Sequence, residues 1–246
     1  MQARKTPQDA SATSLLRKRI FLRVTSKHIK AIPRTRPKSK TARRCRRIYP
    51  KATLAEPCNV TVPDKSSVFR ALIRQDLSSF IQQSLSTVDP GATYRHNWHI
   101  DAIAYRLTQV ALGGIKRLII TMPPRSLKSI SASVAFPAWL LGRDPTQRIV
   151  SASYAEGLSD VLARNSQKVM QSHWYRDAFP QTRISQSVAA RADFETTRGG
   201  ARFSTSIGGS LTGRGGNIVL IDDPHKPEEA TSEVKRKAVI DWFSST

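Results

Sequence analysis

Lys128 and Ser129 follow a short apolar run, Arg117 to Met122 (RLIITM), after the segment PPRSL. A Lys-Ser pair between a strand and a helix can grip a nucleoside triphosphate. Inward-turned backbone amides and the helix N-terminus cradle the phosphates, the ammonium reaches the β- and γ-phosphates, and the hydroxyl binds magnesium. The usual pattern is GxxxxGK[ST], whereas the octet here is Met122, Pro123, Pro124, Arg125, Ser126, Leu127, Lys128, Ser129, with both glycines replaced. A Cβ at Leu127 predicts a loop held at φ < 0 and a looser cradle. By itself the octet fits an ordinary loop-to-helix junction better.

A second element changes that balance. About 90 residues downstream, Asn217 to Asp223 (NIVLIDD) is an apolar strand ending in two acids, one placed to bind magnesium and one to orient an attacking water. Carboxylates at the C-terminal edge of a strand lie where open α/β sheets bind ligands. Asp222 and Asp223 precede Pro224, so a turn or helix cap is the plain alternative.

The elements that must position these groups follow from periodicity. Val68, Phe69, Leu72, Ile73, Leu77, Phe80, Ile81 and Leu85 mark one face of a helix, with a turn at Asp89-Pro90-Gly91. A second helix runs from about Trp98 to a stop at Gly113-Gly114. After the strand at 117–122, a helix from Lys128 toward Leu141 is predicted to kink or split at Pro137, which lacks a backbone donor. Arg148 to Tyr154 reads as a strand, Ala155 to Gln171 as a helix, Ala201 to Ile207 as a strand, and Glu228 to Trp242 as an amphipathic helix. Strand and helix alternate as in a parallel sheet with crossover helices.

Of the chain's 40 Lys and Arg, 17 lie in residues 1–51 against a single acid, Asp9, within a formal net charge of +22. A stretch so basic and so poor in apolar periodicity predicts a disordered tail with an affinity for polyanions. Its run from Arg34 to Arg47 suits phosphate neutralisation without sequence readout. Residues 1–63 are therefore read as a basic, disordered extension and 64–246 as the α/β domain. Cys45 and Cys58 have no partnering Cys or His pattern, which argues against a disulfide framework or zinc site. The longest apolar stretch, Ala132 to Leu141, is too short to span a bilayer.

Five blocks together resemble the ATPase domain of tailed-phage and prophage terminase large subunits: NWHIDAIA (97–104), RLIITMPPRSLKSISASVAFPAWLLGRDP (117–145), SASYAEGLS (151–159), GGSLTGRGGNIVLIDDPHKPEEA (208–230) and DWFSST (241–246). Their order and spacing are similar too, and the combination of PPRxxKS, LTGRG and IDDP is more specific than any one motif. The resemblance covers roughly Val68 to Thr246 and none of residues 1–60.

It implies a P-loop NTPase fold, a mostly parallel sheet with helices on both faces, using ATP and Mg2+ to drive viral DNA into a procapsid. Carried over, Lys128 holds the β- and γ-phosphates, and Ser129 and Asp222 bind magnesium. Arg125 stabilises the γ-phosphate, and Pro124, Ser126 and Leu127 complete the loop. Asp223 stands where many related ATPases place a catalytic Glu, and its shorter side chain puts water positioning in doubt. Asn97, Trp98 and His99 fall where the adenine is expected, although Trp98 has a plain reading as a core residue. Arg214, in the glycine-rich segment, faces phosphate or DNA.

Implied partners are double-stranded DNA, a terminase small subunit and a portal, with a homo-oligomeric motor in the bacterial cytoplasm and no membrane. Family members carry a coupling segment and a nuclease domain beyond the equivalent of Thr246, so a truncated motor without nuclease activity is expected. Two other readings stay open. One is a non-catalytic prophage remnant that binds DNA through its basic tail, and the other is a helicase-like P-loop ATPase.

Overall fold

A computed structural model describes residues 18–24, 64–189, 193–210 and 215–245. Its elements run β1 (Lys18–Val24), α1 (Lys65–Gln75), α2 (Leu77–Val88), α3 (Trp98–Ala111), β2 (Arg117–Met122), a π-helical turn (Ile130–Ala135), and α4 (Phe136–Arg143). There follow β3 (Arg148–Ser153), α5 (Glu156–Gln171), α6 (His173–Ala178), β4 (Ile184–Ala189), β5 (Phe194–Thr196), β6 (Ala201–Ser206), β7 (Ile218–Asp222), a 3-10 turn (Pro227–Glu229) and α7 (Glu233–Ser245).

The class is α/β, but the sheet is mixed. Among the described residues, seven strands lie in the order β2-β1-β7-β3-β6-β5-β4. Only β7, β3 and β6 pair in parallel; β1 is antiparallel to both β2 and β7, and β5 is antiparallel to both β4 and β6. The expectation of a mostly parallel sheet is therefore corrected. The difference comes from β1, which separates two strands that run the same way, and from the β4-β5 segment, whose short connections favour antiparallel pairing.

A larger correction concerns the basic extension. Residues 18–24 form a central strand rather than a disordered tail, with Leu22 opposite Leu118 on one side and Leu220 on the other. The rest of the 1–63 extension lies outside the described residues. Phe21 is half-buried against one face and Leu22 buried in the other, and the sequence Ile20-Phe21-Leu22 has the unbroken apolar character that a central strand needs.

Alternate residues divide the core in two, as the period of a strand requires. Leu22, Ile120, Ile149, Ile218 and Leu220 pack with helical residues such as Phe80, Ile100, Leu107 and Trp139. Val150, Ala152, Phe203, Val219 and Ile221 form a second cluster, joined by Phe21, Ile207, Trp242 and Phe243. Helices thus lie on both faces, unequally. The second face receives α7 through Trp242 and Phe243, and Trp242 Nε1 donates to the Gly209 carbonyl at 3.0 Å.

Local chemistry sets the boundaries. The single apolar face read across 68–85 is cut by Asp76, whose carboxylate caps α2 by accepting from the backbone N–H groups of Ser78 and Ser79 at 3.4 and 2.8 Å. At the end of α3, Gly113 adopts φ 76°, its N–H bonds Val110 O, and Gly114 N–H bonds Gln109 O, a Schellman closure.

Pro137 acts as expected, though as a rearrangement rather than a break. The helix begins at Lys128, widens into the π turn, where Phe136 N–H reaches Ser131 O, and resumes as α4 with Pro137 in its first turn. Proline leaves the Ser133 carbonyl without the donor four residues on, and Arg202 Nη2 takes its place at 3.4 Å.

Candidate functional site

The candidate phosphate loop leaves the C-terminal end of β2 and turns into the helix at Lys128. Arg125 and Leu127 have φ of 61° and 58°. Left-handed residues on both sides of Ser126 are a feature shared with the alternating backbone of anion-binding nests. The Cβ of Leu127 thus does not hold the loop at φ < 0. Its half-buried side chain packs against the main core and holds the residue in a region that costs about 1–3 kcal/mol for a non-glycine. The Ser126 hydroxyl donates to Pro123 O at 2.8 Å, closing the turn, while Pro124 and Arg125 are exposed.

Lys128 is 3% exposed and points across β1 to the end of β7. Its Nζ donates to Asp223 Oδ1 at 2.6 Å and lies 3.4 Å from Asp222 Oδ1. Both acids are themselves buried, at 1% and 6% exposure. One short segment from each half of the domain therefore meets at a single buried charge cluster.

Asp222 is held tightly on one oxygen and loosely on the other. Oδ2 accepts from Ser133 Oγ at 2.8 Å. Among the described residues Oδ1 has no well-formed hydrogen bond, and the neighbouring Ser129 hydroxyl makes only a weaker stabilising contact with the carboxylate. Burial raises the Asp222 carboxyl above its ordinary value, and the Asp223 charge adds to that. Lys128 and the Ser129 and Ser133 hydroxyls oppose the rise without overcoming it. Asp223 sits one residue past the strand at φ 48°, and its carbonyl accepts from Tyr154 N–H at 3.1 Å, tying the acid to the end of β3.

A residue absent from the sequence reading stands behind the acids. Arg202 on β6 is wholly buried. It donates to Ser204 Oγ at 2.8 Å, to Ser151 Oγ at 3.2 Å and to the Ser133 carbonyl, while its Nε has no partner among the described residues. Burial lowers its guanidinium to about 10 despite the opposing charge of Asp193. Because Ser133 also holds Asp222, the arginine braces the carboxylate from one residue away. The strand alternation of ARFSTS carried the signal, since an arginine between Ala201 and Phe203 must face the opposite, helix-covered side.

The upstream block lies at the start of α3. Asn97 caps α3 with no side-chain cap bond, Trp98 is 75% exposed, and His99 meets the Trp98 ring edge-on at 6.4 Å. Among the described residues no hydrogen bond, ion pair or ring contact joins these three to the loop. Trp98 is not a core residue, which removes the plain explanation for it. His173 is exposed and pairs with Asp177, and Trp174 Nε1 donates to Thr87 Oγ1, so both act at the start of α6. Arg214, with Leu211 to Gly213, lies outside the described residues.

Among the described residues no group of three or more His, Cys, Asp or Glu is arranged to hold a metal, and no helix is long and apolar enough to cross a membrane. Comparison with known protein families, curated proteins and solved structures returns no match.

Proposed function

We propose that this chain binds Mg-ATP at Lys128, Ser129, Asp222 and Asp223 and acts as the ATPase domain of a terminase-type DNA-packaging motor. One observation carries the reading. The ammonium of the loop lysine is buried between two carboxylates at the edge of a distant strand, an expensive arrangement for structure alone. A solvated loop-to-helix junction has no need of it.

The residues fit a magnesium ion. Asp222 Oδ1 is a buried acceptor without a well-formed hydrogen bond, and the Ser129 hydroxyl stands beside the carboxylate. Magnesium favours one or two such oxygens plus water and substrate phosphates over an all-protein cage. When bound, it would neutralise charge on the terminal phosphates. The loop supplies amides to the phosphates, Lys128 supplies charge, and Asp223 is the group placed to orient water. Arg125, exposed in the loop, is the group assigned to the γ-phosphate, and its exposure leaves it free to reach one. The partners of such a motor are double-stranded DNA, a small subunit, a portal and further copies of the chain, working in the bacterial cytoplasm.

Titration calorimetry of Mg-ATP against the full chain tests the reading. Binding that is lost on chelating magnesium and weakened by Arg125→Ala supports it. No binding, or binding indifferent to magnesium, overturns it.

A further inference from the structure

The strand of the candidate phosphate loop and the strand of the two acids do not pair with each other. Among the described residues β1 alone joins them, in register from Lys18 opposite Met122 to Arg23 opposite Arg117 on one side, and from Ile20 opposite Asp222 to Val24 opposite Ile218 on the other. Two interstrand spacings of about 4.8 Å put β2 and β7 about 9.6 Å apart. Lys128 closes that gap to reach Asp222 and Asp223. Direct pairing of β2 with β7 would halve the separation and change where the ammonium meets the acids.

The strand is short and antiparallel to both neighbours. It is separated by about 40 residues of chain from α1, the next described element. Its apolar centre serves both faces: Leu22 lies in the main core and Phe21 against the second cluster. A peptide that adds to a sheet in this way gains affinity from main-chain hydrogen bonds and specificity from alternate side chains, and it needs no continuous chain to do so.

We propose that Lys18–Val24 is a separable positioning strand for the nucleotide site: it sets the spacing and register of the phosphate-loop strand against the acid strand, and it can do so in trans. This rests on the nucleotide reading above for its functional consequence, but not for the strand exchange itself.

Leu22→Pro in the full chain tests it, because every N–H of a strand with two neighbours serves one ladder or the other, and proline removes that donor. Hydrogen exchange is followed at 117–122 and 218–222, with 201–206 as the remote reference. Mg-ATP affinity is measured alongside. A synthetic peptide of residues 16–26 is then added in excess, and Leu22→Val serves as the conservative control. The expected result is selective loss of protection at 117–122 and 218–222 and Mg-ATP binding weaker by about tenfold or more, since a binding constellation depends on the shell that holds it in place. The peptide should restore both, and Leu22→Val should retain both.

Wild-type protection and affinity in Leu22→Pro would overturn the proposal. So would loss spread equally to 201–206 with no rescue by peptide, which would make β1 an ordinary part of the fold. A wild-type chain that does not bind Mg-ATP overturns the nucleotide reading instead. The exchange pattern then still decides the strand, with local, peptide-reversible loss supporting it and unchanged protection sinking it.

Discussion

Lys128→Met should destabilise the protein strongly and in a way that depends on pH. The substitution removes the ammonium 2.6 Å from Asp223 and 3.4 Å from Asp222 and leaves two carboxylates buried against each other. Breaking a buried pair from one side costs about 3–5 kcal/mol. An independent route gives a similar figure. If the variant relieves the repulsion by protonating one acid, lifting an ordinary aspartate by about three units to neutral pH costs about 4 kcal/mol. For a domain of this size that is a fall in Tm of roughly 8–16 °C.

The sign of the pH dependence follows from the same acids. Burial already raises the Asp222 carboxyl with the lysine present, and removing the opposing charge raises it further. A carboxyl raised in the folded state contributes stability below its unfolded value, and loses it as pH rises through the folded one. The variant should therefore recover up to about 1.4 kcal/mol for each pH unit of acidification above the ordinary aspartate range. Urea unfolding followed by tryptophan fluorescence at pH 5, 6, 7 and 8 reads this directly. A second variant, Lys128→Met with Asp223→Asn, should regain most of the stability while still failing to bind Mg-ATP. A single variant as stable as wild type at pH 7, or destabilised equally at every pH, would refute the reasoning.

Three further outcomes are expected. Asp222→Asn keeps an acceptor for Ser133 and sheds a carboxyl that burial disfavours, so the protein should be at least as stable as wild type above the ordinary aspartate range. ATP binding by this variant should no longer respond to magnesium in calorimetry, and a retained magnesium response would remove Asp222 from the site. Leu127→Gly should be more stable than Leu127→Ala by about 1 kcal/mol in urea titration, because at φ 58° the alanine Cβ is strained and glycine is not. Arg202→Met should cost about 1–3 kcal/mol by the same assay, since it strips the donor from the buried Ser133 carbonyl; an unchanged midpoint would show that the carbonyl is satisfied otherwise.

What was legible in the sequence was local. The RLIITM strand, the turn at 123–127 and the helix start at Lys128 follow one another in the chain, and the IVLID strand carries its acids at its own end. Period and turn chemistry suffice for elements of that kind. The break at Asp76 was hidden because Leu77, Phe80 and Ile81 continue the helical spacing across it. The cap Asp-Leu-Ser-Ser was the available sign. The β4 and β5 strands, ISQSVA and FET, carry too few apolar residues to register as strands. β1 was illegible for a different reason. Three apolar residues among cations carry no period, and their partners at 118–120 and 220–222 lie far along the chain, so only the assembled sheet gives the segment a place.

On the proposed function, the buried triad explains why the site is built from Lys128 and two acids rather than one. With no nucleotide, Lys128 must have partners, because an ammonium at 3% exposure cannot be left to solvent. Asp223 supplies the close one, and Asp222 keeps one oxygen in reserve. When the ammonium turns to the terminal phosphates, it gives up its bond to Asp223, and another donor can take its place at the same edge of the sheet. A water molecule at that edge is the donor that hydrolysis requires. The exchange of partners thus gives Asp223 a reason to hold water only once phosphate is bound. The free energy of the Lys128–Asp223 bond is subtracted from the nucleotide's affinity, so Asp223→Asn should tighten nucleotide binding while abolishing turnover. A coupled ATPase assay run beside calorimetry separates the two effects. Weaker binding by Asp223→Asn would mean that the ion pair helps to hold the nucleotide rather than competing with it.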